Sequence, residues 1–289
     1  MFIFAPKVAE TISKIVRIET SDFSYVMVVL ISLISAIFWA LLTWWLGLPV
    51  SSSHALIGAY AGAGVAHGGW GVLHYEKLFD IVIFIVLAPL MGFVLGFALM
   101  LALYWIFHKT RPVKVDTIFR KGQLFSAAMY SIGHGANDAQ KTMGIIMALL
   151  LAAGIFDHET ELSLLNPKTW WIILSCQLAL ALGTAFGGWR IVKTMGMKIT
   201  KLIPIGGFCA ETAGAMTLFF VSSAGIPVST TQTITGAIMG VGSLNNKNSS
   251  VKWGVATRIV WAWVLTIPFT AALAAGIYFL LQWGKQYAI

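Results

Sequence analysis

The chain has 289 residues, of which 58% are hydrophobic and only 10% are charged. A soluble domain of this length carries about a quarter charged residues, so the composition excludes an ordinary soluble protein. The net charge of +8 comes mainly from basic residues between apolar blocks. That distribution is typical of the cytoplasmic loops of a membrane protein, and it does not predict a nucleic-acid partner.

Uncharged blocks predict the transmembrane segments. Each is long enough to cross about 30 Å of hydrocarbon as a helix. Because lipid offers no partner to open backbone groups, the sequence predicts an all-α polytopic membrane protein. The basic stretch 108–122 is predicted to be a cytoplasmic linker between a first repeat, 1–107, and a second, 123–289. The four blocks are Phe23–Leu46, Ile81–Phe107, Trp170–Trp189 and Trp261–Trp283.

An internal repeat relates the two halves. GLPVSSSHALIGAYAGAG at Gly47–Gly64 aligns without a gap with GIPVSTTQTITGAIMGVG at Gly225–Gly242, at an offset of 178 residues. Repeats in membrane carriers are often inverted, with the substrate site at their interface. We therefore expect two inverted repeats whose broken or half helices meet near the bilayer midplane. We also expect Ala5–Val16 to correspond to Gly188–Thr200.

Each copy of the repeat predicts a helix N-terminus inside the membrane. The proline suits the first helical turn and the hydroxyls suit the cap, so free N–H groups and the positive dipole end would bind an anion. One such segment alone is equally well interpreted as an ordinary helix start with a close-packing glycine face. Two facing copies favour an enclosed site for a tetrahedral oxyanion. Its hydroxyl donors would come from Ser51, Ser52, Ser53, Ser229, Thr230 and Thr231.

The segment GHGANDAQKT, Gly133–Thr142, lies within a stretch of 34 residues, 123–156, that is apolar on both sides. Such a stretch is longer than the bilayer if it is straight, and Gly133 and Gly135 predict a kinked or unwound centre. Asp138 at mid-depth needs a cation, a proton or a partner.

The neighbours of Asp138 leave several roles open. With Asp138 itself, Asn137 and Gln140 resemble an oxygen-ligand set for Na⁺. Lys141 as a structural counter-charge is the alternative. His134 is either a proton carrier or an ordinary hydrogen-bonded helix residue.

A second intramembrane carboxylate, Glu211, lies in the neutral segment Gly206–Phe220. A carboxylate at membrane depth is a functional candidate. The alternative is a salt bridge to Lys198 or Lys201 near the interface.

These motifs, together with GTAFGGWRIVKTMGMKIT at Gly183–Thr200 and GFCAE at Gly207–Glu211, resemble the signatures of the inorganic phosphate transporter (PiT) family. The resemblance runs from about Ala5 to the end. It implies a multi-pass, cation-coupled symporter of the cell membrane and not an enzyme, with no cofactor and with Na⁺ or H⁺ as the coupling ion. Its partners would be inorganic phosphate, that cation and the lipid bilayer, and a homodimer is left open.

The resemblance also implies residue roles. The six hydroxyls named above would bind phosphate, and Asn137 and Gln140 would bind phosphate or the coupling cation. Asp138 would couple the cation, as a sodium ligand if the carrier uses Na⁺, and Glu211 would be a further coupling carboxylate. The family has a second Asp-containing motif near the start of its first repeat. None is present here, so we expect the sequence to begin inside that repeat.

Three alternatives remain at this stage. One is a sulfate carrier of the same family, which Asp138 disfavours because phosphate can donate its own O–H to a carboxylate whereas sulfate cannot. Another is a truncated remnant that does not transport. The third is an intramembrane enzyme with His134 and Asp138 as an acid–base or metal pair, although the sequence shows no nucleophile, metal triad or nucleotide loop.

Overall fold

A computed structural model describes residues 6–17, 24–157, 159–244 and 251–287, so Ala5 lies outside the described residues. Within these ranges the chain is helical, apart from loops and a single antiparallel bridge between Val16 and Leu73. This confirms the all-α prediction. The helices are α1 (Lys7–Ser13), α2 (Ser24–Leu46), α3 (Ser52–Gly68), α4 (Tyr75–Phe107), α5 (Pro112–Ala152), α6 (Trp170–Phe186), α7 (Trp189–Lys193), α8 (Pro204–Ser223), α9 (Thr230–Ser243) and α10 (Trp253–Tyr287).

Several helices have the length and composition of membrane spans. In the described part of the chain these are α2, α4, α8 and residues 253–284 of α10, and the bent pair formed by α6 and Trp189–Ile199 would add a fifth span. The pair bends by 62° next to Gly188, whose φ of +105° favours glycine. Large apolar side chains are exposed on these helices, including Trp105 at 74% and Phe186 at 88%. Such faces are stable only against lipid, so the chain is a multi-pass membrane protein.

Two short helices, α3 and α9, begin at the repeated motif. Ser51 caps α3 and Ser229 caps α9, as the hydroxyl pattern predicts. The repeat-equivalent glycines Gly47 (φ +68°) and Gly225 (φ +75°) turn the chain at the first position of each motif. The prolines of the motif lie two residues before the caps and not in the first helical turn as predicted. Each proline disfavours a helical backbone conformation for the residue before it, so the segment that leads into each helix stays extended.

The two repeats pack crosswise. Helix α3 of the first repeat packs on α10 of the second, and α9 packs on α4 in the same way. Gly58 on α3 lies against the backbone of Ile267, and its counterpart Gly236 on α9 lies against the carbonyl of Pro89. The absence of a side chain lets each pair of backbones approach closely, as small residues do in membrane helix packing.

Two threonines make reciprocal contacts between the repeats. Thr11 on α1 donates to the carbonyl of Gly225 at 2.9 Å, and Thr194 after α7 donates to the carbonyl of Gly47 at 3.0 Å. Since Gly47 and Gly225 are repeat equivalents, Thr11 and Thr194 occupy equivalent places. This supports the predicted correspondence of the α1 segment with Gly188–Thr200. Reciprocal pairs of this kind are what a two-fold relation produces.

A second reciprocal pair lies beside the first. The Lys7 ammonium donates to the carbonyl of Ser223 at 3.1 Å, and the Arg190 guanidinium donates to the carbonyl of Trp45 at 2.7 Å. Each basic side chain thus binds the C-terminal end of a helix from the other repeat, where the partial negative charge of the helix favours a cation. The short helices α1 and α7 are therefore attached to opposite repeats in the same manner.

Helix α5 is continuous through the glycine-rich motif, so the predicted unwound centre is wrong and only the alternative of a kink stays a prediction. Its 41 residues would extend about 60 Å when straight. Gly133 lies against Leu218 and Phe219 of α8, so it serves close packing and not unwinding. The helix already begins at Pro112. The basic stretch 108–122 is therefore mostly helical, and only residues 108–111 connect α4 to α5.

The apolar core lies mainly in two clusters, and each contains one of the half-helices. One surrounds Tyr60 of α3, with residues from α1, α2 and the end of α10. The other surrounds Ile238 of α9, with residues from α4, α8 and the start of α10.

Candidate functional site

The carboxylate of Asp138 on α5 is the centre of a buried polar cluster, and its side chain is only 12% exposed. Its Oδ2 atom accepts a hydrogen bond from Thr230 Oγ1 at 2.9 Å and lies 2.9 Å from His134 Nε2. Its Oδ1 atom pairs with the ammonium of Lys141 at 2.5 Å. A carboxylate at this depth requires such partners, because its unpaired charge would be costly to bury.

Lys141 connects the two copies of the Ser/Thr motif. Besides Asp138, its Nζ atom donates to Ser53 Oγ at 2.6 Å in the first turn of α3 and to the carbonyl of Val228 at 2.5 Å, just before α9. The ammonium has three donors, and all three are used. The structure thus brings together the predicted residues Ser53, Asp138 and Thr230, with Lys141 at their centre.

The first turns of α3 and α9 meet directly. His54 and Gln232 are equivalent positions of the repeat, and His54 Nδ1 lies 3.4 Å from Gln232 Nε2. His54 thus contacts its own counterpart in the second copy of the motif. Both side chains are buried, and Gln232 Oε1 has no partner among the described residues. The two helix N-termini therefore converge at a polar centre.

The caps of both half-helices leave donors for a ligand. Ser51 Oγ accepts from the N–H of His54 at 3.1 Å, and Ser229 Oγ accepts from the N–H of Gln232 at 3.2 Å. The cap hydroxyls thus satisfy the third N–H of each helix. The first two N–H groups have no acceptor within their own helix, because an α-helix leaves its initial donors unpaired.

Two side-chain amides of α5 each have one polar atom without a hydrogen-bond partner among the described residues. Gln140 Oε1 accepts from the N–H groups of Val8 and Ala9, at 3.1 and 3.4 Å, and so caps α1. That leaves Gln140 Nε2 unpaired within the described chain, and this atom is a donor suited to an anion. Asn137 donates to Ser222 Oγ at 2.9 Å, and its Oδ1 atom is unpaired there.

Three predicted site residues lie outside the cluster. Ser52 is exposed and Thr231 is half-buried. Glu211 on α8 accepts a hydrogen bond from Ser126 Oγ at 2.5 Å. Ser126 precedes Asp138 by twelve residues on the same helix, which places it about 18 Å along α5. Glu211 therefore belongs to a separate part of the helix interface.

The groups around Asp138 do not fit an additional sodium ion as they are arranged. Carboxylate, hydroxyl and carbonyl oxygens are the ligands that hard cations take. Here those oxygens, from Asp138, Ser53 and Val228, already surround the Lys141 ammonium. The interpretation of Lys141 as the counter-charge of Asp138 therefore describes the arrangement better than a sodium ligand set does.

Sequence reasoning left His54 and Ser222 out of the site. The repeat offset itself contained the signal for His54, since it pairs this residue with Gln232 of the second motif. The sequence gives no such signal for Ser222, because the contact of Ser222 with Asn137 depends on how α8 packs on α5.

Comparisons with known proteins identify the family. The Phosphate transporter family matches residues 1–274. A "Probable low-affinity inorganic phosphate transporter" of Rhizobium meliloti (strain 1021) is 51% identical over 252 residues, covering 87% of this chain and 73% of the relative. A protein of the same description from Bacillus subtilis (strain 168) is 40% identical over 275 residues, covering 95% and 80%. The solved structure of "The sodium-dependent phosphate transporter" matches with a TM-score of 0.84 and 25% identity, covering 97% of this chain and 86% of that one. The predicted resemblance and the expectation of a transporter and not an enzyme are thus confirmed, and the chain belongs to the phosphate transporter family.

Proposed function

We propose that this protein carries inorganic phosphate across the cell membrane as a cation-coupled symporter. Family membership and the phosphate-transporting descriptions of its relatives support this. The structural observation that carries the proposal is the convergence of two capped helix N-termini on one buried cluster, where Lys141 binds both motifs.

Phosphate would lie between the first turns of α3 and α9. The donors for its oxygens would be the unpaired N–H groups of each turn, the hydroxyl of Ser53 and Gln140 Nε2, which is unpaired within the described chain. The Thr230 hydroxyl would act indirectly, because its proton is donated to Asp138. The ion pair of Asp138 and Lys141 is neutral overall, so the carboxylate does not repel the anion as an unpaired charge would. Neutral donors also permit release, which a carrier needs as much as capture.

The transport step we propose is alternating access between inverted repeats. The crosswise packing and the reciprocal threonine contacts support an inverted relation, because they place each half-helix against the opposite repeat. Opening to one side of the membrane would break one of the two threonine–glycine contacts and keep the other. Opening to the opposite side would break the second contact and restore the first.

The coupling cation in this proposal is Na⁺ or H⁺. Asn137, the neighbour of Asp138 in the chain, has an acceptor, Oδ1, that is unpaired among the described residues. Glu211 has no cationic partner in the described chain and is half-buried, so it is the carboxylate best placed to exchange a proton. A sulfate carrier is the runner-up, and it is disfavoured because Asp138 offers an acceptor to the O–H of phosphate.

Uptake of radiolabelled phosphate into proteoliposomes tests the proposal. Na⁺ and H⁺ gradients are imposed separately, excess sulfate is the competitor, and a variant at the exposed Ser52 (Ser52→Ala) is the matched control for Thr230→Val. We expect gradient-dependent uptake that resists sulfate, is weakened by Thr230→Val and is nearly unchanged by Ser52→Ala. A folded protein that takes up no phosphate under either gradient, or that prefers sulfate, would contradict the proposed function.

A further inference from the structure

The ammonium of Lys141 is enclosed in a complete shell of oxygens. Lys141 is only 2% exposed. Its Nζ atom lies 2.5 Å from Asp138 Oδ1, 2.6 Å from Ser53 Oγ and 2.5 Å from the carbonyl of Val228. One ligand comes from α5, one from α3 and one from the segment before α9. Three elements of the fold therefore converge on a single positive charge.

This shell has the chemistry of a cation site. A carboxylate, a hydroxyl and a backbone carbonyl from separate elements are the donors that proteins offer to hard metal cations. Burying an ammonium is costly unless its charge is paired and its three N–H groups are bonded, and here both conditions are met. The side chain and a small metal cation would need the same position.

We propose that Lys141 is a tethered cation, whose ammonium permanently holds the position beside Asp138 that a sodium ion would take. The chain then binds no Na⁺ at Asp138 and needs no Na⁺ there to accept phosphate. Na⁺ is the cation to test because a sodium-dependent transporter shares this fold. The part that concerns phosphate rests on the proposed function, whereas the part that concerns Na⁺ does not.

A tethered cation differs from a bound one in what it contributes to transport. It neutralises Asp138 when phosphate arrives, as a bound ion would. It then stays with the protein through the whole cycle, so no energy is drawn from a gradient at this position. Any driving ion therefore binds elsewhere, and Na⁺ would not be required for phosphate affinity.

The first experiment is thermal unfolding of the purified full chain in sodium chloride and in choline chloride at equal ionic strength, with and without inorganic phosphate. For the wild type we expect the same Tm in both salts and the same stabilisation by phosphate. Lys141→Ala removes the ammonium and leaves Asp138 with His134 and Thr230 as its partners and an open position at Oδ1. For this variant we expect a higher Tm in Na⁺ than in choline. Its apparent affinity for phosphate should fall about tenfold in choline and recover in Na⁺.

Two further variants serve as controls. Lys141→Arg retains a cation and should show no response to Na⁺. The double variant Asp138→Asn, Lys141→Met removes both charges, so it should fold without the ion pair and should not respond to Na⁺ either. A simple phosphate-binding role for Lys141 predicts instead that Na⁺ does not restore the affinity of Lys141→Ala.

The proposal is overturned if Na⁺ raises the Tm of the wild type over choline and the double variant loses that response. It is also overturned if folded Lys141→Ala behaves identically in the two salts. If Lys141→Ala does not fold, the comparison of the wild type with the double variant decides the matter alone. If phosphate stabilises the wild type in neither salt, the proposed function fails, while the comparison of Na⁺ with choline still decides the role of Lys141.

Discussion

The packing of α9 on α4 predicts the effect of adding one methyl group. At Gly236 the backbone of α9 lies directly against the carbonyl of Pro89, so a Cβ atom there would overlap the carbonyl oxygen. A carbon and a carbonyl oxygen approach to about 3.3 Å, and the added atom would lie more than about 1 Å inside that limit. Both partners are helix backbone and cannot turn aside as a flexible side chain can. Gly236→Ala therefore forces the two helices apart.

The cost follows from that displacement. Overpacking a close contact typically destabilises a protein by about 1–3 kcal/mol. For a protein of this size about 2–4 °C of Tm corresponds to each kcal/mol, so Gly236→Ala should lower the Tm by roughly 2–12 °C. Thr230 is the first residue of the same helix and donates to Asp138 at 2.9 Å. Phosphate affinity should fall together with stability, because α9 carries this donor.

Unfolding followed by tryptophan fluorescence, with and without phosphate, measures both effects. The equivalent substitution Gly58→Ala meets the backbone of Ile267 on α10 and should behave alike. The matched control is Gly183→Ala on α6, where an added Cβ would meet nothing within 4 Å, and its Tm should be unchanged or higher. If Gly236→Ala is as stable as Gly183→Ala, the close approach of α9 and α4 is wrong.

Three further predictions concern single hydrogen bonds. Thr230→Val keeps the shape of the side chain but loses the donor to Asp138. It should raise the phosphate concentration for half-maximal uptake about tenfold or more, whereas Thr230→Ser should leave it nearly unchanged. Gln140→Glu keeps an acceptor that can cap α1, but it replaces the Nε2 donor by an oxygen and adds a buried negative charge. Phosphate affinity should fall if this position faces the anion, and an unchanged affinity would exclude Gln140 from the phosphate site. Thr11→Val and Thr194→Val each lose one contact between the repeats. Each should cost about 1 kcal/mol in stability, and unequal Tm losses would argue against their equivalence.

The local parts of the fold were predictable from the sequence. Ser51 and Ser229 cap their helices as expected because capping depends on residues within one turn. The membrane helices follow from uninterrupted apolar blocks. The role of Gly133 was not predictable, since glycine permits both a kink and a close contact, and only the position of Leu218 and Phe219 on another helix decides between them.

The site shows the same division between local and distant information. The hydroxyls and Asp138 could be named from their motifs, and the offset of the repeat already paired His54 with Gln232. The partners of Lys141 could not be derived, because Ser53 and Val228 lie almost ninety residues away in opposite directions along the chain. Lys141 is one turn from Asp138, which suggested the ion pair but not the shell around it.

The crosswise packing of the repeats also determines the order in which native contacts can form during synthesis. The glycine face of α3 is covered by α10, a helix that the ribosome completes about two hundred residues later. At roughly 5–20 residues per second that interval is about 10–40 s. During it, the glycine face of the first half-helix lacks its native partner, although α2 is already available to pack on another face of α3. Neither repeat is thus an independent folding unit, and assembly of the proposed phosphate site waits for the second half of the chain.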